Sequence, residues 1–179
     1  MTNQLEQLIS EWLELKGYFI RRNVRVGLLP GGGYEGELDI VAYHPQKKRV
    51  LHIEASLDAS SWEKREEHFR RKFEVGRQYA ADILPWVQAD TEIEQWAVLW
   101  GSNRNHLWVG GGQVIPVWDL YRKIACDVLE IGDPARRAIP EQFSLLRTMQ
   151  LTLQYTLRKA DRQKIKKWQA GKGALAEEE

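Results

Sequence analysis

Apolar and polar positions along the chain follow two periods. Over residues 2–16, Leu5, Leu8, Ile9, Trp12, Leu13 and Leu15 recur with helical spacing, and Gly17 stops the pattern. Residues 18–26 then read as a strand. Residues 37–43 and 50–56 cluster or alternate apolar side chains over strand length, with Pro45 and a basic turn between them. A helix follows, capped by Ser60 or Ser61, with Trp62, Phe69, Phe73, Tyr79, Ala80 and Ile83 on one stripe read as core. Pro85 closes it. Residues 95–100 form the next strand, with shorter candidates at 107–109 and 114–117 around a glycine turn. Helices are expected near 118–130 and, after Pro140, over 141–169.

Two carboxylates stand out against this pattern. Side chains on a strand alternate, so Glu54 shares a face with His52 and Ser56. If the strands 37–43 and 50–56 pair through their short connection, Asp39 and Glu54 reach the same end of the sheet. Neighbouring carboxylates are costly unless positive charge sits between them, and a hard divalent cation is the usual answer.

Composition narrows the picture only modestly. The 179 residues suit one domain with a helical appendage. No stretch approaches the roughly 18 apolar residues of a membrane span, and the polar start is no signal peptide. Cys126 is the sole cysteine, which excludes an intramolecular disulfide and a cysteine-based zinc site, and a cytoplasmic protein is expected. The net charge of +1 hides a local +6 over residues 156–172 and a terminal run of three glutamates. Such a basic arm beside a slightly acidic body is compatible with phosphate binding. Gly31, Gly32 and Gly33 lack a following Lys-Ser/Thr pair, so they form a flexible loop, not a phosphate cradle. The eight tryptophans are scattered, mostly within apolar runs, and read mainly as core.

The order helix, strand, strand with Asp39, strand with Glu54, helix, strand resembles the PD-(D/E)xK nuclease superfamily. Within it the likeness is nearest to archaeal-type Holliday-junction resolvases. It is carried by Glu6-Gln7-Leu8, Lys16-Gly17-Tyr18-Phe19, Glu37-Leu38-Asp39-Ile40-Val41 and His52-Ile53-Glu54-Ala55-Ser56, and covers about residues 1–84.

The resemblance implies an α/β restriction-endonuclease-like fold, a mixed central sheet flanked by helices, over residues 1–130. A helical extension with the basic arm would follow over 131–170, and a flexible tail over 171–179. It implies metal-dependent hydrolysis of DNA, with Glu6, Asp39 and Glu54 facing Mg²⁺ or Mn²⁺ and the Ala55 carbonyl as a further ligand. Glu11 is the alternative to Glu6. DNA is the expected partner, a homodimer is compatible with the resemblance, and no membrane is involved.

The departure is Ser56, where the family carries the lysine that positions the attacking water. Lys64 or Lys72 on the following helix would substitute, or a second metal would, or catalysis is lost and the fold serves as a DNA-binding or assembly module. His52 reads first as a packed or solvated strand histidine, with contact to substrate or water as the alternative. Arg21, Arg22, Arg25, Lys47, Lys48, Arg158, Arg162 and Lys166 are the expected backbone contacts, with Arg70 and Arg71 beside them.

Overall fold

The structure is a computed structural model that describes residues 3–84, 91–101 and 105–171. It divides into two compact units, Met1–Val117 and Trp118–Glu179.

In the first unit, helix α1 (Gln4–Leu15) begins at Asn3, whose side-chain oxygen accepts the Leu5 amide at 3.0 Å. Its apolar stripe buries Leu5, Leu8, Ile9, Trp12 and Leu13. The chain then runs as β1 (Phe19–Leu28), β2 (Tyr34–His44), β3 (Arg49–Ser56), α2 (Trp62–Ile83), β4 (Ile93–Leu99), β5 (Trp108–Val109) and β6 (Gly112–Pro116). The strands form one six-stranded mixed sheet in the order β1-β2-β3-β4-β6-β5. β1, β2 and β3 are antiparallel neighbours, whereas β4 lies parallel to β3 and to β6. The fold is therefore α/β with a mixed sheet and helices, as the resemblance implies. Leu38, Ile40, Leu51 and Ile53 are fully buried in the two carboxylate-bearing strands.

α2 packs along the sheet with an apolar stripe that serves two clusters. Val75 and Ile83 join Val26, Leu38, Val41 and Val50, while Phe69 and Phe73 join Ala97, Leu99, Val109 and Val114. The helix approaches closely because of glycine. A β-carbon on Gly76 would lie 2.1 Å from His52 Nδ1, and one on Gly110 would lie 2.2 Å from the Arg70 amide nitrogen. Ser61 takes the N-cap position but makes no side-chain cap bond; its hydroxyl is engaged by the Glu63 carboxylate instead.

The second unit carries α3 (Val117–Ile131, entered at the unit boundary), α4 (Ser144–Tyr155) and α5 (Lys159–Gly171). The single helix expected over 141–169 is thus two. Thr148, Thr152 and Thr156 each turn their hydroxyl back to the carbonyl four residues earlier, which loosens a helix. At the break, Arg162 donates to the carbonyls of Gln154 and Leu157, replacing the partners that a continuing helix would have supplied. Buried Gln150 ties down the loop between α3 and α4, donating to the Gly132 and Arg137 carbonyls and accepting the Ile139 amide at 2.9 Å.

The tryptophans divide. Trp12 and Trp96 are core, as expected, but Trp100, Trp108 and Trp118 are more than half exposed. Trp100 lies just past the end of β4, and Trp108 is on the two-residue edge strand β5, where neighbours on one side are lacking. The side chains of Trp86 and Trp168, and the tail over 172–179, lie outside the described residues.

Candidate active site

The β2–β3 ladder stops at the pair Ile40–Ile53, and the next residues outward are Asp39 and Glu54. Each carboxylate reaches across the gap to the other strand. The Asp39 amide donates to Glu54 Oε1 at 3.2 Å, and the Ala55 amide donates to Asp39 Oδ2 at 3.1 Å. These bonds replace the lost ladder bonds and fix both side chains where the strands part.

The cation of the site comes from α2. Lys72 Nζ lies 2.6 Å from Glu54 Oε2 and 3.1 Å from Asp39 Oδ1, and donates to the Glu37 carbonyl at 2.8 Å. All three ammonium donors have an acceptor. Ser56, two residues after Glu54 on β3, is occupied locally: its hydroxyl accepts the Asp58 amide at 3.1 Å in the turn after β3. Lys64 is exposed and eight residues before Lys72, about 12 Å along the helix axis. It stands apart from the carboxylates.

Behind Glu54 lies a buried polar layer. His52 Nε2 is 2.7 Å from Glu54 Oε1, and His52 Nδ1 is 3.2 Å from Gln95 Nε2, with Gln95 opposite His52 in the parallel β3–β4 pairing. His52 therefore faces inward to Glu54 and has 1 % of its surface exposed: it is the packed strand histidine of the first reading, not a direct contact to substrate.

Charges in the cluster shift one another. The Asp39 carboxyl is pushed up to about 7, first by burial and then by the charge of Glu54, against the pull of Lys72. Glu54 is itself strongly desolvated, yet its interactions with His52 and Lys72 outweigh burial and hold it below the usual carboxylate range. Burial pulls Lys72 down, and the charges of Glu54 and Asp39 more than reverse this. Glu6 on α1 is raised by burial, and the charges of Glu54, Lys72 and Glu37 reach it. Glu11 instead is buried and accepts from Gln7 at 2.9 Å. A cleft of about 170 Å³ is lined by Glu35, Glu37, His68, Arg71, Lys72 and Val75. His68, Arg71, Lys72 and Val75 form one stripe of α2.

The expected backbone contacts are dispersed. Lys47 and Lys48 are exposed at the β2–β3 turn, at the opposite end of the ladder from Glu54. Glu54 lies six positions after Lys48, roughly 20 Å at strand rise. Arg21 donates to the Ile83 carbonyl at the end of α2, Arg25 pairs with Glu37 at 3.2 Å, and Arg22 is exposed on the same edge strand. In the second unit Arg158 is exposed, Arg162 is engaged at the α4–α5 break, and Lys166 lines a cleft of about 250 Å³ with Lys159 and Gln163.

No family model matches the chain, and no curated protein matches it in sequence. Among the described residues, no three or more His, Cys, Asp or Glu side chains converge as a metal-binding group, and no helix is long and apolar enough to cross a membrane. What converges is two carboxylates, one lysine and one histidine. Asp39 and Glu54 were legible from strand period and spacing. Lys72 was one of two candidates on α2, and Gln95 carried no signal in one dimension, since only the parallel pairing with β3 sets it opposite His52.

Proposed function

We propose that the chain is a metal-dependent endonuclease that hydrolyses DNA phosphodiester bonds, on a fold resembling the PD-(D/E)xK nucleases. The observation that carries this reading is Lys72 Nζ, held 2.6 Å from Glu54 and 3.1 Å from Asp39. It supplies from α2 the cation that Ser56 does not provide.

The donor set suits Mg²⁺ or Mn²⁺. Both are hard cations that bind through one or two carboxylates and otherwise keep water and substrate oxygens. With both carboxylates ionised, Lys72 leaves the three groups a net negative charge, and Asp39 is raised first by burial and then by the charge of Glu54. Asp39 and Glu54 would hold the ion, which supplies Lewis acidity at a phosphate. Lys72 orients the two carboxylates and presents an ammonium to charge developing on the phosphoryl oxygens. Glu6 on α1 feels the charges of Glu54 and Lys72 without joining the pair, while His68 and Arg71 offer donors along the adjoining cleft.

A second reading has its own support. Lys72 already bridges the carboxylates, and each of their four oxygens has a protein donor. That arrangement also serves a DNA-binding or assembly module without catalysis.

Incubation with linear, single-stranded, flapped and four-way-junction DNA in Mg²⁺ and Mn²⁺ separates the two. The nuclease reading expects metal-dependent cleavage that Asp39→Ala, Glu54→Ala and Lys72→Ala abolish, and that Lys64→Ala and Ser56→Ala leave in place. Cleavage that survives Asp39→Ala and Glu54→Ala belongs to a contaminant. DNA binding without cleavage or Mn²⁺ heat supports the module.

A further inference from the structure

The buried layer behind Glu54 has a polarity that can be followed atom by atom. Arg77 Nη1 lies 2.5 Å from Gln95 Oε1, and an arginine only donates. Gln95 Nε2 lies 2.8 Å from the Phe73 carbonyl, which only accepts. Together they fix the Gln95 amide, with its NH₂ toward His52 Nδ1 at 3.2 Å. A proton on Nδ1 would set two donors against each other. Nδ1 therefore accepts, the ring proton lies on Nε2, and Nε2 donates to Glu54 Oε1 at 2.7 Å.

Oε1 also accepts the Asp39 amide at 3.2 Å, so both of its lone pairs are engaged. Oε2 accepts from Lys72 and keeps a position open. Gly76 is the residue that lets the ring sit there, since any β-carbon would collide with Nδ1.

We propose that Gln95 and Arg77 are positioning residues that lock His52 as an Nε2–H donor, and that this lock makes Glu54 a one-oxygen ligand presenting Oε2 to a divalent cation. The ligand half of this inference rests on the metal-dependent reading above; the hydrogen-bond half does not. The lock works through complementarity: a rigid amide dictates which ring nitrogen carries hydrogen, and the ring dictates which carboxylate oxygen is spent inside the protein. Partners of this kind, one step removed from the ion, typically change metal affinity 10- to 100-fold when removed.

Nitrogen-15 NMR of the imidazole rings in the full chain, with neither metal nor DNA, reads the proton directly, and loss of one ring's signals in His52→Gln assigns His52. The expected result is a hydrogen on Nε2 and a bare Nδ1; hydrogen on Nδ1 in the unaltered chain overturns the lock. Gln95→Glu offers an acceptor in place of the NH₂, and a second ring proton should appear on Nδ1. An unchanged ring in that variant overturns the role of Gln95. Mn²⁺ titration by calorimetry then tests the consequence. His52→Met is expected to weaken binding about 10- to 100-fold, and His52→Gln, which restores an N–H donor, to recover most of the loss. Equal affinity in His52→Met and the unaltered chain overturns the ligand half. If the unaltered chain binds no Mn²⁺, the ligand half and the metal-dependent function both fall, while the ring spectrum still decides the lock.

Discussion

At one end of the β2–β3 ladder, Asp39, Glu54, His52 and Lys72 are wholly or largely buried and bonded to one another. At the other end, Lys47 and Lys48 point into solvent, and Arg49 is held by Glu94 at 2.5 and 2.6 Å and lies over Trp96. In sequence the basic turn is the denser cluster of charge. In space the sparser end does the coupling, because desolvated charges interact strongly while exposed ones are screened by water and salt. Candidate chemistry therefore belongs where charges are few, buried and mutually bonded.

The largest expected contrast is in stability. Glu54→Ala removes the acceptor of both Lys72 and His52 and should cost about 3–5 kcal/mol, as breaking buried ion pairs does. The double change Lys47→Ala with Lys48→Ala should stay within about 0.5 kcal/mol, the usual range for exposed sites. Urea unfolding of the two variants checks this, and similar costs at the two ends would erase the distinction.

A pH dependence of stability comes next. Asp39 ionises in the folded chain at about 7, above its ordinary 3.8. The folded state thus holds this proton more tightly than the unfolded one. That contribution is complete below pH 3.8 and is lost as pH rises through about 7. Glu54 has the opposite sense, present above 4.5 and lost in more acidic solution, so it leaves the upper part of the window to Asp39. Stability should fall between pH 5 and 7 by up to about 1.4 kcal/mol per pH unit, and Asp39→Asn should flatten that slope. Denaturant midpoints across the window, compared for the two chains, give the answer.

Gly76→Ala should cost about 1–3 kcal/mol, the overpacking range, because the added carbon meets His52 Nδ1 at 2.1 Å. Its NMR signature is a shifted His52 ring. The smallest effect is expected at the exposed end, and with the opposite sign. Lys48 adopts φ 50°, a left-handed conformation that suits glycine. Lys48→Gly should be neutral or stabilising by up to about 1 kcal/mol, read as a rise in melting temperature.

Much of the fold is legible in the sequence. Period-two runs gave β2, β3 and β4, helical spacing gave α1 and α2, and Pro85 lay just beyond the observed end of α2. The errors have local causes. The helix over 141–169 breaks because three threonine hydroxyls and Arg162 offer its carbonyls other partners, which a count of apolar spacing does not register. Trp100 and Trp108 are exposed because they lie at a strand end and on an edge strand, and strand order is not a local property.

The sequence by itself determined that Asp39 and Glu54 share one end of a strand pair, because side-chain alternation and a short turn leave little other choice. It also determined that no cation follows Glu54 on the strand, since position 56 is serine. Only the tertiary structure decided that Lys72, and not Lys64, completes the cluster, and that Gln95 stands behind His52. The reason is the docking of α2. Its height on the sheet is set by close approaches at Gly76 and Gly110, residues distant in sequence from what they touch. Periodicity fixes which face a side chain occupies, and packing between distant elements fixes what it meets there.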